Sequence, residues 1–227
     1  MKFVAIILAR GGSKGIPHKN IININGKPLL NYSIEQCINA GIKEIYTSSD
    51  DEKILQVAKD AGSNIILRPN NISGDLATSE SGWIHAVEKI PNLDKKNDWI
   101  FAPQVTSPIR ETFDVKNALE LATTKNFDSI FSAVKLEDFF LWQKHQNKFR
   151  PINYDFKKRL RRQDIKEFTY LENGSFFLFK PYGLIKNNNR LHGRIGITEM
   201  EKSKMFQIDN KEDIKIVESM LNYLNIS

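Results

Sequence analysis

The sequence predicts an α/β domain built on a mainly parallel sheet, and three observations carry that prediction. Short apolar runs alternate with helix-spaced segments through the first two-thirds of the chain. The first apolar run breaks abruptly into a glycine-rich turn, and the alternation itself fails after Val134. Strands separated by helices are βαβ units, which wind right-handed and lay their strands parallel.

Residues 4–9 are continuously apolar and read as a buried strand. Residues 29–40 have helical spacing and stop at Gly41, and 43–48 form the next strand. That strand ends in Ser48, Ser49, Asp50 and Asp51, polar residues able to cap a helix over 52–61, which Gly62 closes. A strand at 64–67, a helix at 79–90, a strand at 99–102, a helix at 113–124 and a strand at 129–134 continue the rhythm. Residues from about 135 to 170 show little regular period and are rich in aromatic and basic residues. An irregular excursion inside an α/β domain suggests an inserted arm that meets a partner. Residues 175–179 return as a strand, and 214–224 close as an amphipathic helix.

A chain of 227 residues with 41% hydrophobic and 26% charged residues fits one domain with its own core. The lone Cys37 excludes an internal disulfide framework and is compatible with a reducing compartment. No apolar run approaches the ~18 residues of a membrane span. The expectation is a soluble cytoplasmic protein with no membrane partner. A net charge of +6 points to an anionic ligand. Lys157, Lys158, Arg159, Arg161 and Arg162 form the densest basic cluster, but no zinc spacing, basic heptad or RNA-binding aromatic motif accompanies it, so no nucleic-acid partner is expected.

The turn after the first strand reads Arg10, Gly11, Gly12, Ser13, Lys14, Gly15, followed by Lys19 and Asn20. Glycines let backbone N–H groups approach an anion closely, and Arg10, Lys14 and Lys19 add full charges, so a triphosphate is the expected guest. The spacing lacks the Lys-Ser/Thr ending of a P-loop and the Gly-x-Gly-x-x-Gly of a dinucleotide site. The alternative is a glycine-rich turn carrying solvated lysines.

This loop, together with Gln104, Val105, Thr106, Ser107 and Pro108, resembles the acylneuraminate cytidylyltransferases, the CMP-sialic acid synthetases and their legionaminic acid relatives. Further motifs match in order: Leu67-Arg68-Pro69 followed by Asp75 to Ser79, Arg162-Gln163, Glu172-Asn173-Gly174, and Ile208-Asp209 followed by Glu212-Asp213.

The resemblance implies a Rossmann-like three-layer sandwich over residues 1–227 as one domain, with a dimerisation arm at about 136–172 reaching a partner's site. It implies CTP and a nine-carbon 2-keto sugar acid as substrates, Mg²⁺ (or Mn²⁺) as cofactor, and a homodimer with shared sites. Arg10, Lys14, Lys19 and Asp209 are then expected in catalysis, and Ser13, Asn20, Arg68, Ala77, Thr78 and Ser79 around the nucleotide. Gln104, Arg162, Gln163 and Asn173 are expected around the sugar. Asp209 is the expected metal ligand. Gln207 stands where the family carries a second carboxylate, and would reach the metal through water or not at all. If residues 207–209 were a strand, both side chains would share a face. Two other readings stay open: another sugar, such as 3-deoxy-octulosonate, or a nucleotide-binding homologue without catalysis.

Overall fold

The computed structural model describes residues 1–13, 15–137 and 139–226. The opening apolar run forms β1 (Phe3–Leu8), with Val4, Ala5, Ile6 and Ile7 fully buried. A small hairpin follows, β2 (Asn23–Ile24) with β3 (Lys27–Pro28), leading into α1 (Leu29–Asn39). Then come β4 (Glu44–Ser49), α2 (Glu52–Asp60), β5 (Asn64–Leu67), α3 (Ser79–Lys89), β6 (Trp99–Pro103), α4 (Thr112–Thr124) and β7 (Ser129–Leu136). The second hairpin is β8 (Trp142–His145) with β9 (Lys148–Pro151). The chain ends with β10 (Thr169–Phe179), α5 (Pro181–Asn187), β11 (Ile195–Met200) and α6 (Lys211–Tyr223).

Seven strands form one sheet in the order β11-β7-β10-β6-β1-β4-β5. Neighbours run parallel from β6 to β5 and between β11 and β7, while β10 runs antiparallel to both β6 and β7. The sheet is thus mainly parallel, as expected, with one reversed strand near its middle.

Strand alternation splits the core into two layers. Ala5, Ile7, Phe101, Phe176 and Leu178 point to one face and pack with residues of α1, α2, α4 and α6. Val4, Ile6, Ile100, Phe177 and Phe179 point to the other and pack with α3 and α5. Trp83 of α3 is 1% exposed, with the rings of Phe177 and Phe179 at 6.2 and 5.4 Å. Truncating such an aromatic side chain to alanine costs about 3–5 kcal/mol.

Element ends lie within a few residues of the expected ones, apart from α6, which starts at Lys211, and β10, which starts at Thr169 inside the irregular stretch. That stretch also holds the β8–β9 hairpin, whose residues are exposed on both faces except Pro151 and therefore carry no apolar alternation. The sequence reading passed over β11 as well, because its pattern is inverted: Ile195 and Ile197 face outward while Gly196 and Thr198 are buried.

Candidate active site

The parallel strands β1, β4, β5 and β6 all end on one edge of the sheet, where open α/β folds bind ligands. Each delivers a polar segment there. After β1, the Gly11 N–H donates to Asp50 Oδ1 at 3.0 Å, tying the glycine-rich turn to the end of β4. Gly15 lies against the backbone of Asp209: a Cβ at that position would sit 2.7 Å from the Asp209 carbonyl oxygen. No larger residue fits without moving that backbone.

Three cations, two from the segment after β1 and one after β5, reach this edge. Arg10 Nη1 is 3.1 Å from Asp75 Oδ1 and donates to the Gly74 carbonyl at 3.3 Å. Lys19 Nζ donates to the Ile208 carbonyl at 2.8 Å and lies 3.1 Å from Asp209 Oδ1. Arg68, at the end of β5, has a side chain only 5% exposed; its Nε donates to Ser73 Oγ at 3.1 Å, and Nη2 lies 3.8 Å from Asp50. Burial pushes the Arg68 guanidinium below its ordinary pKa, an effect that Asp50 opposes and Arg10 adds to. The buried Asn20 donates to the Arg10 carbonyl at 2.9 Å and so fixes the turn that carries Arg10. Lys14, expected beside these cations, lies outside the described residues.

A cleft of about 350 Å³ gathers Arg10, Ser13, Lys19, Asn20, Arg68, Ala77, Thr78, Ser79 and Gln104, all expected at the site, together with Ser73, Asp75 and Thr106. Thr78 caps α3, its Oγ1 accepting from the Ser81 N–H at 3.2 Å. The positive end of α3 therefore opens on the cleft beside the cations.

The residues expected near the sugar and metal are arranged differently. Gln104 is held through its backbone, its N–H donating to the Ser175 carbonyl at 2.9 Å, so its side chain remains available to the cleft. Asn173 is 2% exposed and lies outside the cleft's lining; its Oδ1 accepts from Ser132 at 2.7 Å, and its Nδ2 donates to the Lys204 carbonyl at 3.1 Å. Its amide is committed to joining β10 to β7 and to the turn at 202–205. Residues 206–210 form no strand, so the alternation expected of Gln207 and Asp209 does not arise. Gln207 Nε2 instead donates to the Asn173 carbonyl at 2.6 Å and packs on Gly174, whose φ of +64° favours glycine. Asp209 is 74% exposed at its side chain and meets Lys19. Asp213 is occupied by the backbone N–H groups of Asp209 and Asn210 in the capping box of α6. Among the described residues no group of three or more His, Cys, Asp or Glu forms a metal cluster. Arg162, 63% exposed, pairs with Glu137 of its own chain, and Gln163 is exposed beside it.

Two buried cations behind the site carried no such signal in the sequence. Arg110 is fully buried with neutral direct partners: Gln36 Oε1 at 2.9 Å, Ser33 Oγ at 2.8 Å and the Ser175 carbonyl at 2.6 Å. Burial pushes its pKa down to about 10. Lys204 has a side chain 2% exposed between Glu111 at 2.6 Å and Asp114 at 2.9 Å. Only the apolar neighbours of Lys204, Met205 and Ile208 among them, hinted at a buried segment.

The family model described as cytidylyltransferase matches residues 4–225. The pseudaminic acid cytidylyltransferase of Campylobacter jejuni is 31% identical over 223 residues, covering 95% of this chain and 94% of that protein. The N-acylneuraminate cytidylyltransferase of Oncorhynchus mykiss is 35% identical over 180 residues, covering 77% of this chain but 40% of that protein. Its counterpart from Streptococcus agalactiae is 27% identical over 224 residues, 94% of this chain and 52% of that one. The chain thus spans about half the length of these N-acylneuraminate relatives or less. Among solved structures, a CMP:2-keto-3-deoxy-manno-octonic acid synthetase complexed with CTP superposes with a TM-score of 0.74 at 16% identity, covering 99% of this chain and 100% of that one. A 4-diphosphocytidyl-2C-methyl-D-erythritol synthase does so at 0.71 and 14%, covering 97% and 99%. At such identities these structures speak for the fold: an α/β sheet with helices on both faces. The family match over almost the whole chain, and the relative matched nearly end to end, make this chain a member of the cytidylyltransferase family.

Proposed function

We propose that this chain activates a nonulosonic acid, a nine-carbon 2-keto sugar acid of the sialic or legionaminic type, with CTP to give the CMP-sugar and pyrophosphate. The observation that carries the reading is the cleft itself: Arg10, Lys19 and Arg68 meet at the positive end of α3, beside the Asp209 carboxylate. The names of the full-length and partial relatives, pseudaminic acid and N-acylneuraminate cytidylyltransferases, support a sugar of this class.

In the reaction the sugar's anomeric hydroxyl gives up its proton to solvent as its oxygen forms a bond to the α-phosphorus, the bond from that phosphorus to the bridging oxygen breaks, and pyrophosphate leaves in line. Negative charge grows on the phosphoryl oxygens and on the leaving group, so catalysis rests on positioning and electrostatic stabilisation. Arg10, Lys14 and Lys19 supply that stabilisation, while Ser13 and Asn20 hold the loop and its guest. Arg68, Ala77, Thr78 and Ser79 frame the nucleotide. Gln104 faces the sugar, and Arg162 with Gln163 meets its carboxylate from a partner subunit, a guanidinium being suited to two-point carboxylate contact.

Asp209 fits a divalent cation of the Mg²⁺ kind, which takes one or two carboxylates and fills its shell with phosphate oxygens and water. With Gln207 turned to Asn173, the 207–209 segment offers one carboxylate. Such a cation, Mg²⁺ or Mn²⁺, would neutralise charge on the triphosphate. The arm over about 136–172 serves, in this reading, to build a homodimer: Leu141, Trp142, Phe149, Phe156 and Leu160 are exposed along it.

The test is pyrophosphate release from CTP with a panel of 2-keto sugar acids under Mg²⁺ or Mn²⁺. Turnover with a nine-carbon acid is expected. Turnover restricted to an octulosonic acid would reassign the sugar, and CTP binding without turnover on any acid would overturn the reading.

A further inference from the structure

We infer that Lys204 is a positioning residue for the reaction, holding the Asp209 segment in register with the turn after β6. This rests on the proposed function of the cleft and adds a residue that touches none of its contents. Asp209 is 74% exposed and meets Lys19, so its place is set by the backbone that leads to it. Besides Lys19 at the Ile208 carbonyl and Asp213 at the Asp209 N–H, three further contacts fasten that backbone. Ile208 is fully buried, and its N–H donates to the Thr106 carbonyl at 2.8 Å. Gln207 grips the Asn173 carbonyl. Lys204 is the third: its own carbonyl accepts from Asn173 Nδ2, and its ammonium enters the N-terminus of α4.

The ammonium does more there than neutralise one carboxylate. Glu111 and Asp114 already form the capping box of α4, the Glu111 N–H donating to Asp114 Oδ2 at 2.8 Å. Lys204 Nζ sits 3.0 and 2.9 Å from the two Asp114 oxygens and 2.6 Å from Glu111. Burial alone would push its pKa down, but the hydrogen bonds to Glu111 and Asp114 carry it above the ordinary value, so the cation is kept. A buried charge with fixed partners has few alternative placements, because any other leaves it unpaired. α4 begins directly after the segment carrying Gln104 and Thr106. Lys204 therefore couples the sugar side of the cleft, the Asn173 turn and the Asp209 carboxylate through one residue, its ammonium holding α4 and its carbonyl holding Asn173.

The experiment compares wild-type protein with Lys204→Met. Mn²⁺ binding to the CTP-loaded protein is read by electron paramagnetic resonance of free Mn²⁺, and hydrogen exchange is read at 205–209 and 104–107. Lys204→Met is expected to weaken Mn²⁺ binding about 10- to 100-fold, the usual cost of removing a residue that orients a metal ligand. CTP binding without metal should stay within about twofold, and exchange should quicken in both segments. A folded variant with wild-type Mn²⁺ affinity and unchanged exchange would overturn the inference. If the single variant does not fold, Lys204→Met with Asp114→Asn removes both buried charges, and the same comparison decides. Wild-type protein that binds no Mn²⁺ with CTP would instead count against the proposed function, so the two failures are distinct.

Discussion

Lys19 shows how one side chain can be read from sequence while its setting cannot. Its place after a glycine-rich turn marks it as a phosphate cation, but its partners at Ile208 and Asp209 lie 189 and 190 residues away. Removing a fixed charge from a site of developing negative charge costs about 2.7–4 kcal/mol of barrier, by analogy with a lost oxyanion-hole donor. Lys19→Ala is therefore expected to lower kcat/KM for CTP about 100- to 1,000-fold, with circular dichroism unchanged. Gly15→Ala should lower turnover as well, since its Cβ must displace the Asp209 carbonyl; wild-type kinetics in that variant would contradict the packing described. Lys204 marks the limit of legibility at this scale. Its partners lie at the N-terminus of α4, Asp114 being 90 residues away, and a lysine buried by such partners looks in sequence like any surface lysine.

Helices state their boundaries locally, and most were legible for that reason. Thr78 precedes α3 as a cap should, and Asn210 with Asp213 forms the capping box of α6. Thr78→Ala is expected to cost about 1 kcal/mol of stability, read from the denaturant midpoint, with Thr78→Ser recovering most of it. Asp213 gives a pH dependence of definite sign. The N–H groups of Asn210 and Asp209 hold its carboxyl below the ordinary range, so its stabilising effect is complete above the unfolded pKa near ~4 and is lost as pH falls through the folded value. Asp213→Asn should lower thermal stability at neutral pH and flatten the decline on acidification; an unaltered acid limb would argue against this cap. Strands were harder to read where burial departs from the rule of apolar residues inward. β8 and β9 have no buried face, and β11 turns isoleucines outward over buried Gly196 and Thr198. Periodicity reports burial, and these strands have none or the reverse.

For the whole molecule, the mainly parallel sheet followed from the alternation of strands and helices, but the reversal at β10 did not. A connection as long as the 32 residues between β7 and β10 permits a strand of either direction, and that stretch had no visible order. If the arm completes a neighbour's site, Lys19→Ala and Arg162→Ala subunits, each inactive alone, should regain activity when mixed, about one site in the heterodimer being intact. Heterodimers shown by tagged co-purification and still inactive would refute sharing.

The antiparallel strand has a further consequence, in the order of assembly. β10 supplies the hydrogen bonds between β6 and β7, so the two parts of the sheet cannot join until residue 169 and beyond are made. Before then β1, β4, β5 and β6 can pair among themselves, but β6 presents an open edge and β7 has no partner. Such edges recruit other strands. A chain halted at residue 168 is thus expected to aggregate, because the sheet closes only when its reversed central strand is laid in.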